Sequence, residues 1–174
     1  MLELIANYHC VTGEGPLWHP EEELLYWLDI PDGELYSYDP ATDAHELRHE
    51  GERVGGFTTQ ESGDLLLFGE GGSIRTWSDG IGDTLIAEIP EDADSRFNDV
   101  IAGPEGRVYC GTMGGNLYCL DTDGRLRTLV EGKHCRAQCA RSAQRAAGVE
   151  SAEGFLRLQA PYDFLSEHYP SNHG

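Results

Sequence analysis

Three stretches of this chain repeat one another: LLYWLDIPDGELYSYD from Leu24 to Asp39, DLLLFGEGGSIRTWSD from Asp64 to Asp79, and RVYCGTMGGNLYCLD from Arg107 to Asp121. The third copy carries one deletion, and the starts lie 40 and 43 residues apart. A four-stranded propeller blade has this period, about 40 to 45 residues. Each copy is a β-rich run, a turn with glycine, and a second run that ends in aspartate. Gly33, Gly71, Gly72, Gly114 and Gly115 are expected to supply the positive φ of tight hairpins. The second runs alternate, Leu35, Ser37 and Asp39 against Tyr36 and Tyr38, then Ile74 and Thr76 against Arg75 and Trp77. A period of two specifies sheets with two distinct faces, and nothing before Gly132 reads as a long helix. The expected fold is therefore all-β, a β-propeller of four-stranded antiparallel blades. Residues 1–132 account for about three blades, which leaves a broad inter-blade surface uncovered. Trp18, Tyr26, Trp27, Phe68 and Trp77 are expected as core packing between adjacent blades.

Composition breaks at Gly132. Up to that point the chain has 27 acidic residues against seven arginines (Arg48, Arg53, Arg75, Arg96, Arg107, Arg125 and Arg127) and no lysine. The remaining 42 residues hold four acids and five basic residues, beginning with Lys133. A body so acidic repels nucleic acid and anionic membrane surfaces, so neither is an expected partner. Molar salt screens such repulsion, with a Debye length of about 3 Å at 1 M. The composition is that of a salt-adapted cytoplasmic protein, as in extreme halophiles, with an acidic mesophilic protein as the alternative. Residues 133–174 are an atypical tail, rich at first in Arg, Ala and Gln. A short helix with a disordered end, a separate appendage and out-of-frame translation all describe it. The last is favoured, because it accounts at one point for the loss of acidity and of the repeat.

The 39% hydrophobic content permits a globular core. The longest apolar runs are strand-length, so no transmembrane span is expected, and Met1 to Cys10 lacks the basic start of a secretory signal. Five scattered cysteines (Cys10, Cys110, Cys119, Cys135 and Cys139) argue against a disulfide framework and for a reducing cytoplasm. His134, Cys135 and Cys139 lack the second ligand pair of a zinc finger.

Chemistry concentrates in Arg96-Phe97-Asn98-Asp99, followed by Pro104-Glu105-Gly106-Arg107 and Gly111-Thr112-Met113, with Gly13-Glu14-Gly15-Pro16-Leu17-Trp18 upstream. An arginine, an amide and a carboxylate within four residues can hold an oxygen-rich ligand beside a hard cation, and Glu14 offers a second anionic oxygen. This ordered set resembles the gluconolactonase/regucalcin (senescence marker protein) family over residues 7–132. The resemblance implies a six-bladed propeller and metal-dependent sugar-lactone hydrolysis. It places Glu14 as a ligand of one divalent cation, calcium first, with zinc or magnesium as alternatives. It places Arg96 and Asn98 on the sugar lactone. Asp99 touches a second ion or a water, or caps the following turn, and Phe97 is expected in the core. The family's later acidic substrate contact is replaced by the short Gly114-Gly115-Asn116 connection, where Asn116 is a partial substitute. The later asparagine and aspartate ligands have no counterpart, and Asp163 and Asn172 take no role. No catalytic residue is assigned, and little or no lactonase activity is expected of this chain alone. The competing reading is a non-enzymatic propeller fragment whose open blade edge pairs with a second copy or a complementing C-terminal half.

Overall fold

Alternating strands joined by glycine turns give three meanders in the computed structural model, which describes residues 4–132. The first sheet is β1 (Gly13–His19), β2 (Leu24–Asp29), β3 (Glu34–Asp39) and β4 (Ala44–Glu50). The second is β5 (Val54–Thr59), β6 (Leu65–Gly69), β7 (Ile74–Ser78) and β8 (Gly82–Ala87). The third is β9 (Phe97–Ala102), β10 (Val108–Thr112), β11 (Leu117–Leu120) and β12 (Leu126–Val130). Each sheet keeps its strands in chain order, with the registered pairs antiparallel. The repeats are the central hairpins β2-β3, β6-β7 and β10-β11, so the all-β, four-stranded reading holds. The chain divides after Asn98 into two compact units, the first with two whole sheets and the opening of the third. Among the described residues no helix is long and apolar enough to cross a membrane.

Two turn types join the repeated hairpins. Gly71 and Gly72 both take positive φ, 65° and 71°, the signature of the primed turn that matches strand twist. In the third repeat only Gly115 does so, at φ 98°, and its N–H donates to Thr112 O at 3.0 Å. That is a turn closed by one left-handed residue, so Gly114, contrary to expectation, keeps φ out of the positive range. The aspartates that end the three copies serve different ends. Asp39 accepts from the Ala41 N–H at 2.8 Å, Asp79 pairs with Arg48 at 2.7 Å, and Asp121 receives two bonds from Arg127 at 2.6 and 2.8 Å. These bonds to Arg127 hold the Asp121 carboxyl below the usual carboxylate range.

The main core joins the first two sheets through Tyr26, Leu28, Leu35, Phe57, Leu67 and Trp77, with Leu17 and Leu24 packed against it. Buried His19 adds a polar tie. Its Nδ1 accepts from the Glu22 N–H at 3.2 Å, leaving Nε2 to donate to Gly63 O at 2.9 Å. Tyr26, Phe68 and Trp77 are buried as expected, and half-buried Trp27 stacks on Tyr36 with centroids 5.4 Å apart. Trp18 departs from expectation at 49% exposure. Strand alternation puts it opposite Leu17 and His19, on the face of the first sheet turned away from that core.

His49 on β4 packs edge-on against Trp77, with centroids 6.5 Å apart. Burial pushes its pKa below the ordinary value and prevails over Asp83, which acts the other way. The unfolded chain then takes up this proton first, so the stability contribution is whole above about pH 6.5 and fades as pH falls through the lower folded-state value. Melting temperature in molar KCl should drop between about pH 7.5 and about pH 5, and His49→Gln should flatten that drop. An unchanged pH slope in His49→Gln would contradict this account.

Candidate functional site

Arg96, Phe97 and Asn98 stand where the chain enters β9, and the second sheet fixes them there. The Gly71 N–H donates to Ser95 O at 2.8 Å, and Glu70 and Arg96 form an isolated antiparallel bridge. The Phe97 ring is fully buried and meets Phe68 edge to face, with centroids 5.3 Å apart at 87°. Phe97 is thus the core anchor expected of it, and strand alternation turns its two neighbours to the other side. The half-buried Arg96 folds along its own strand: Nη1 donates to Phe97 O at 2.8 Å and to Asn98 Oδ1 at 3.2 Å. The structure therefore brings Arg96 and Asn98 together as one guanidinium–amide unit, suited to an oxygen-rich neutral ligand.

Glu14 lies on β1 opposite Leu28, just before a bulge that ends at Leu17, and its side chain is exposed. Gly15 takes φ 65° in that bulge, and a Cβ there would stand 3.5 Å from the Phe57 ring of β5. The bulge thus presses β1 against β5 and leaves Glu14 pointing to solvent. Among the described residues the Glu14 side chain makes no hydrogen bond or ion pair, so it is not tied to Arg96 or Asn98. Asp99 is half-buried within β9. It falls in the second unit. Asn116 Oδ1 accepts from the Gly132 N–H at 3.3 Å, an anchor for the chain after β12 that sequence reasoning did not foresee.

A cluster not expected from the sequence is formed by Asp29, Asp32 and Glu34, whose carboxylate oxygens lie within 4.8 Å of one another around the β2-β3 turn. The run Asp-Ile-Pro-Asp-Gly-Glu was the available signal. Asp29 is engaged already: its two oxygens accept from the Val11 and Thr12 N–H groups at 2.7 and 2.8 Å, and Glu34 accepts from the Tyr36 hydroxyl. A hard cation such as calcium takes six to eight oxygens. One unpartnered carboxylate at Glu14, or a triad whose buried member clamps backbone, does not make that donor set, so the described residues do not fit a complete cation site.

The sequence profile of the SMP-30/gluconolactonase/LRE-like region matches residues 12–144. Pentonolactonase XacC of Haloferax volcanii is 45% identical over 165 residues, 92% of this chain and 51% of that protein. The 6-deoxy-6-sulfogluconolactonase of Pseudomonas putida is 31% identical over 137 residues, 74% of this chain and 47% of that protein. Among solved structures, a calcium-binding regucalcin from Agrobacterium tumefaciens superposes with a TM-score of 0.61 at 21% identity, over 68% of this chain and 43% of its own. Virginiamycin B lyase from Staphylococcus aureus superposes with a TM-score of 0.58 at 12% identity, over 76% of this chain and 45% of its own. A lyase on the same scaffold shows that the fold alone does not fix the reaction. The chain spans about half the length of the relatives it matches. The likeness also reaches past Gly132, where it was expected to stop. The helical, appendage and out-of-frame readings of the tail all lie outside the described residues.

Proposed function

Because the chain belongs to the SMP-30/gluconolactonase/LRE-like family, we propose that it carries the lactone-holding residues of a sugar-lactone hydrolase acting on pentono- and hexonolactones. The observation that supports this most is the Arg96–Asn98 unit, joined at 3.2 Å and seated on a buried phenylalanine. A sugar lactone offers a carbonyl oxygen, a ring oxygen and hydroxyls, all of which accept hydrogen bonds. Arg96 brings a fixed positive charge to where negative charge builds when water attacks the carbonyl carbon. The new bond joins the water oxygen to that carbon, the ring C–O bond breaks, and the ring oxygen leaves as a hydroxyl, giving an open hydroxy acid. Glu14 is the carboxylate offered to a divalent cation, calcium first, with zinc or magnesium as alternatives; an oxygen donor suits calcium and magnesium better than zinc. Asp99 is a candidate contact to a second ion or a water. No described residue is assigned as general base, which is worth about 10²- to 10⁴-fold in rate. The chain by itself is thus read as a lactone binder that opens the ring little faster than water does. Lactone binding by the chain and by its Arg96→Ala and Asn98→Ala forms is the experiment that tests the reading. The acidic body supports a salt-adapted cytoplasmic setting, without nucleic-acid or membrane partners.

One observation favours a second reading, association through an open blade face. Exposed Trp18 shares its side of the first sheet with Pro16, Leu25 and Trp27, which line an open hollow of about 420 Å³ beneath residues 5–10. Sedimentation in molar KCl should then show concentration-dependent self-association, or capture of a complementing C-terminal half, and Trp18→Glu should abolish it. A monomer at all concentrations that also ignores such a half would contradict this reading.

A further inference from the structure

We propose that Gly55 is a positioning residue for the Arg96–Asn98 unit, one that works by having no side chain. The consequence for lactone binding rests on the function proposed above, but the positioning itself does not. Gly55 is the bulged residue of β5, lying between the registered pairs Val54–Gly69 and Gly56–Phe68, and it is buried. Its φ lies outside the left-handed region, so the backbone conformation alone does not call for glycine. Space does. A Cβ at Gly55 would overlap the Phe97 carbonyl carbon and oxygen and stand 3.1 Å from Arg96 Nη1. That carbonyl is the acceptor that turns Arg96 back along its strand, at 2.8 Å, and the same Nη1 holds Asn98 Oδ1.

Phe97 has little room to yield. Its ring is fully buried against Phe68, and the preceding residues are tied to the second sheet through the Ser95 and Arg96 backbone. A methyl group at position 55 therefore has to displace the Phe97 carbonyl, and with it the guanidinium that orients Asn98. A bulge at this point serves the close approach, since it lifts one residue out of the β5-β6 ladder and lays its bare backbone against the start of β9.

The test uses the full ¹⁵N-labelled chain in molar KCl, reading the Asn98 side-chain NH₂ signals and the Arg96 Nε–H signal. Gly55→Ala should move both while the indole N–H of Trp27 stays in place. It should also weaken binding of D-ribono-1,4-lactone by about tenfold, the loss of roughly one charge-assisted hydrogen bond. Gly103→Ala, whose new Cβ would sit at an ordinary 3.4 Å from the Tyr109 ring, serves as the control and should move neither signal. Gly55→Ala that folds and leaves the Asn98 and Arg96 signals unmoved overturns the proposal. If Gly55→Ala does not fold, Arg96→Gln in the Gly55 chain must still move the Asn98 signals. Failure to do so means that Arg96 does not hold Asn98, and the proposal falls. Moved signals with no lactone binding by the unsubstituted chain would uphold the positioning and overturn the lactone-holding reading instead.

Discussion

Transfer from about 2 M to about 0.1 M KCl should lower the melting temperature of this chain by about 8 to 16 °C. The cause is the 27 acids against seven arginines up to Gly132. Five of those arginines (Arg48, Arg53, Arg75, Arg107 and Arg127) pair with Glu46, Glu52, Glu70, Asp79, Asp83, Glu105 and Asp121. Acids also crowd in sequence, as at Glu21-Glu22-Glu23 and at Glu91, Asp92 and Asp94. The screening length is about 10 Å at 0.1 M and about 3 Å at 1 M, so neighbouring carboxylates repel in dilute salt and not in molar salt. A few tenths of a kcal/mol for each of many such contacts totals about 2 to 4 kcal/mol, and a domain of this size shifts by about 4 °C per kcal/mol. Replacing Glu21, Glu22 and Glu23 together by Gln should reduce the salt slope. The same melting temperature at both salt concentrations would show that the acidity does not govern folding.

Arg96→Ala should weaken lactone binding by about 10- to 100-fold, in line with about 1.5 to 3 kcal/mol for hydrogen bonds to a charged group, and Asn98→Ala by about 2- to 10-fold, in line with about 0.5 to 1.5 kcal/mol for neutral ones. Arg96→Ala acts twice, removing a donor and releasing Asn98 Oδ1 from its 3.2 Å contact. Asn98→Asp separates stability from recognition. The new carboxylate would pair with Arg96 at least as strongly as the amide does, so the melting temperature should hold or rise. Yet aspartate only accepts, so it cannot donate to the carbonyl or ring oxygen of the lactone as the amide NH₂ can, and binding should fall toward that of Asn98→Ala. Unimpaired binding in Asn98→Asp would show that the ligand does not take a hydrogen bond from this amide.

The repeat at Leu24, Asp64 and Arg107 was enough to predict three blades, because hairpin registers such as Trp27 with Tyr36 and Leu65 with Trp77 follow from local alternation. The motif Arg96-Phe97-Asn98 was legible for the same reason: a strand puts Phe97 on one side and its neighbours on the other. What escaped the sequence was nonlocal. Gly55 looks like any strand glycine until the chain brings Phe97 against it from 42 positions away. Trp18 has the composition of a core residue, and only the choice of which face of β1 meets β5 leaves it exposed. Asp29 reads as one more surface acid, whereas its burial and its two bonds to Val11 and Thr12 make it a clamp on the segment leading into β1. Gly114 was misassigned because a double glycine fits two turn types, and the Gly115 N–H to Thr112 bond selects the one that needs a single left-handed residue.

The most direct measurement is a titration of the ¹⁵N-labelled chain with D-ribono-1,4-lactone in molar KCl, following the side-chain NH₂ signals of Asn98. Those signals should show a saturable shift that disappears in Arg96→Ala. Binding that leaves Asn98 unmoved, or that persists undiminished in Arg96→Ala, would contradict the lactone-holding reading.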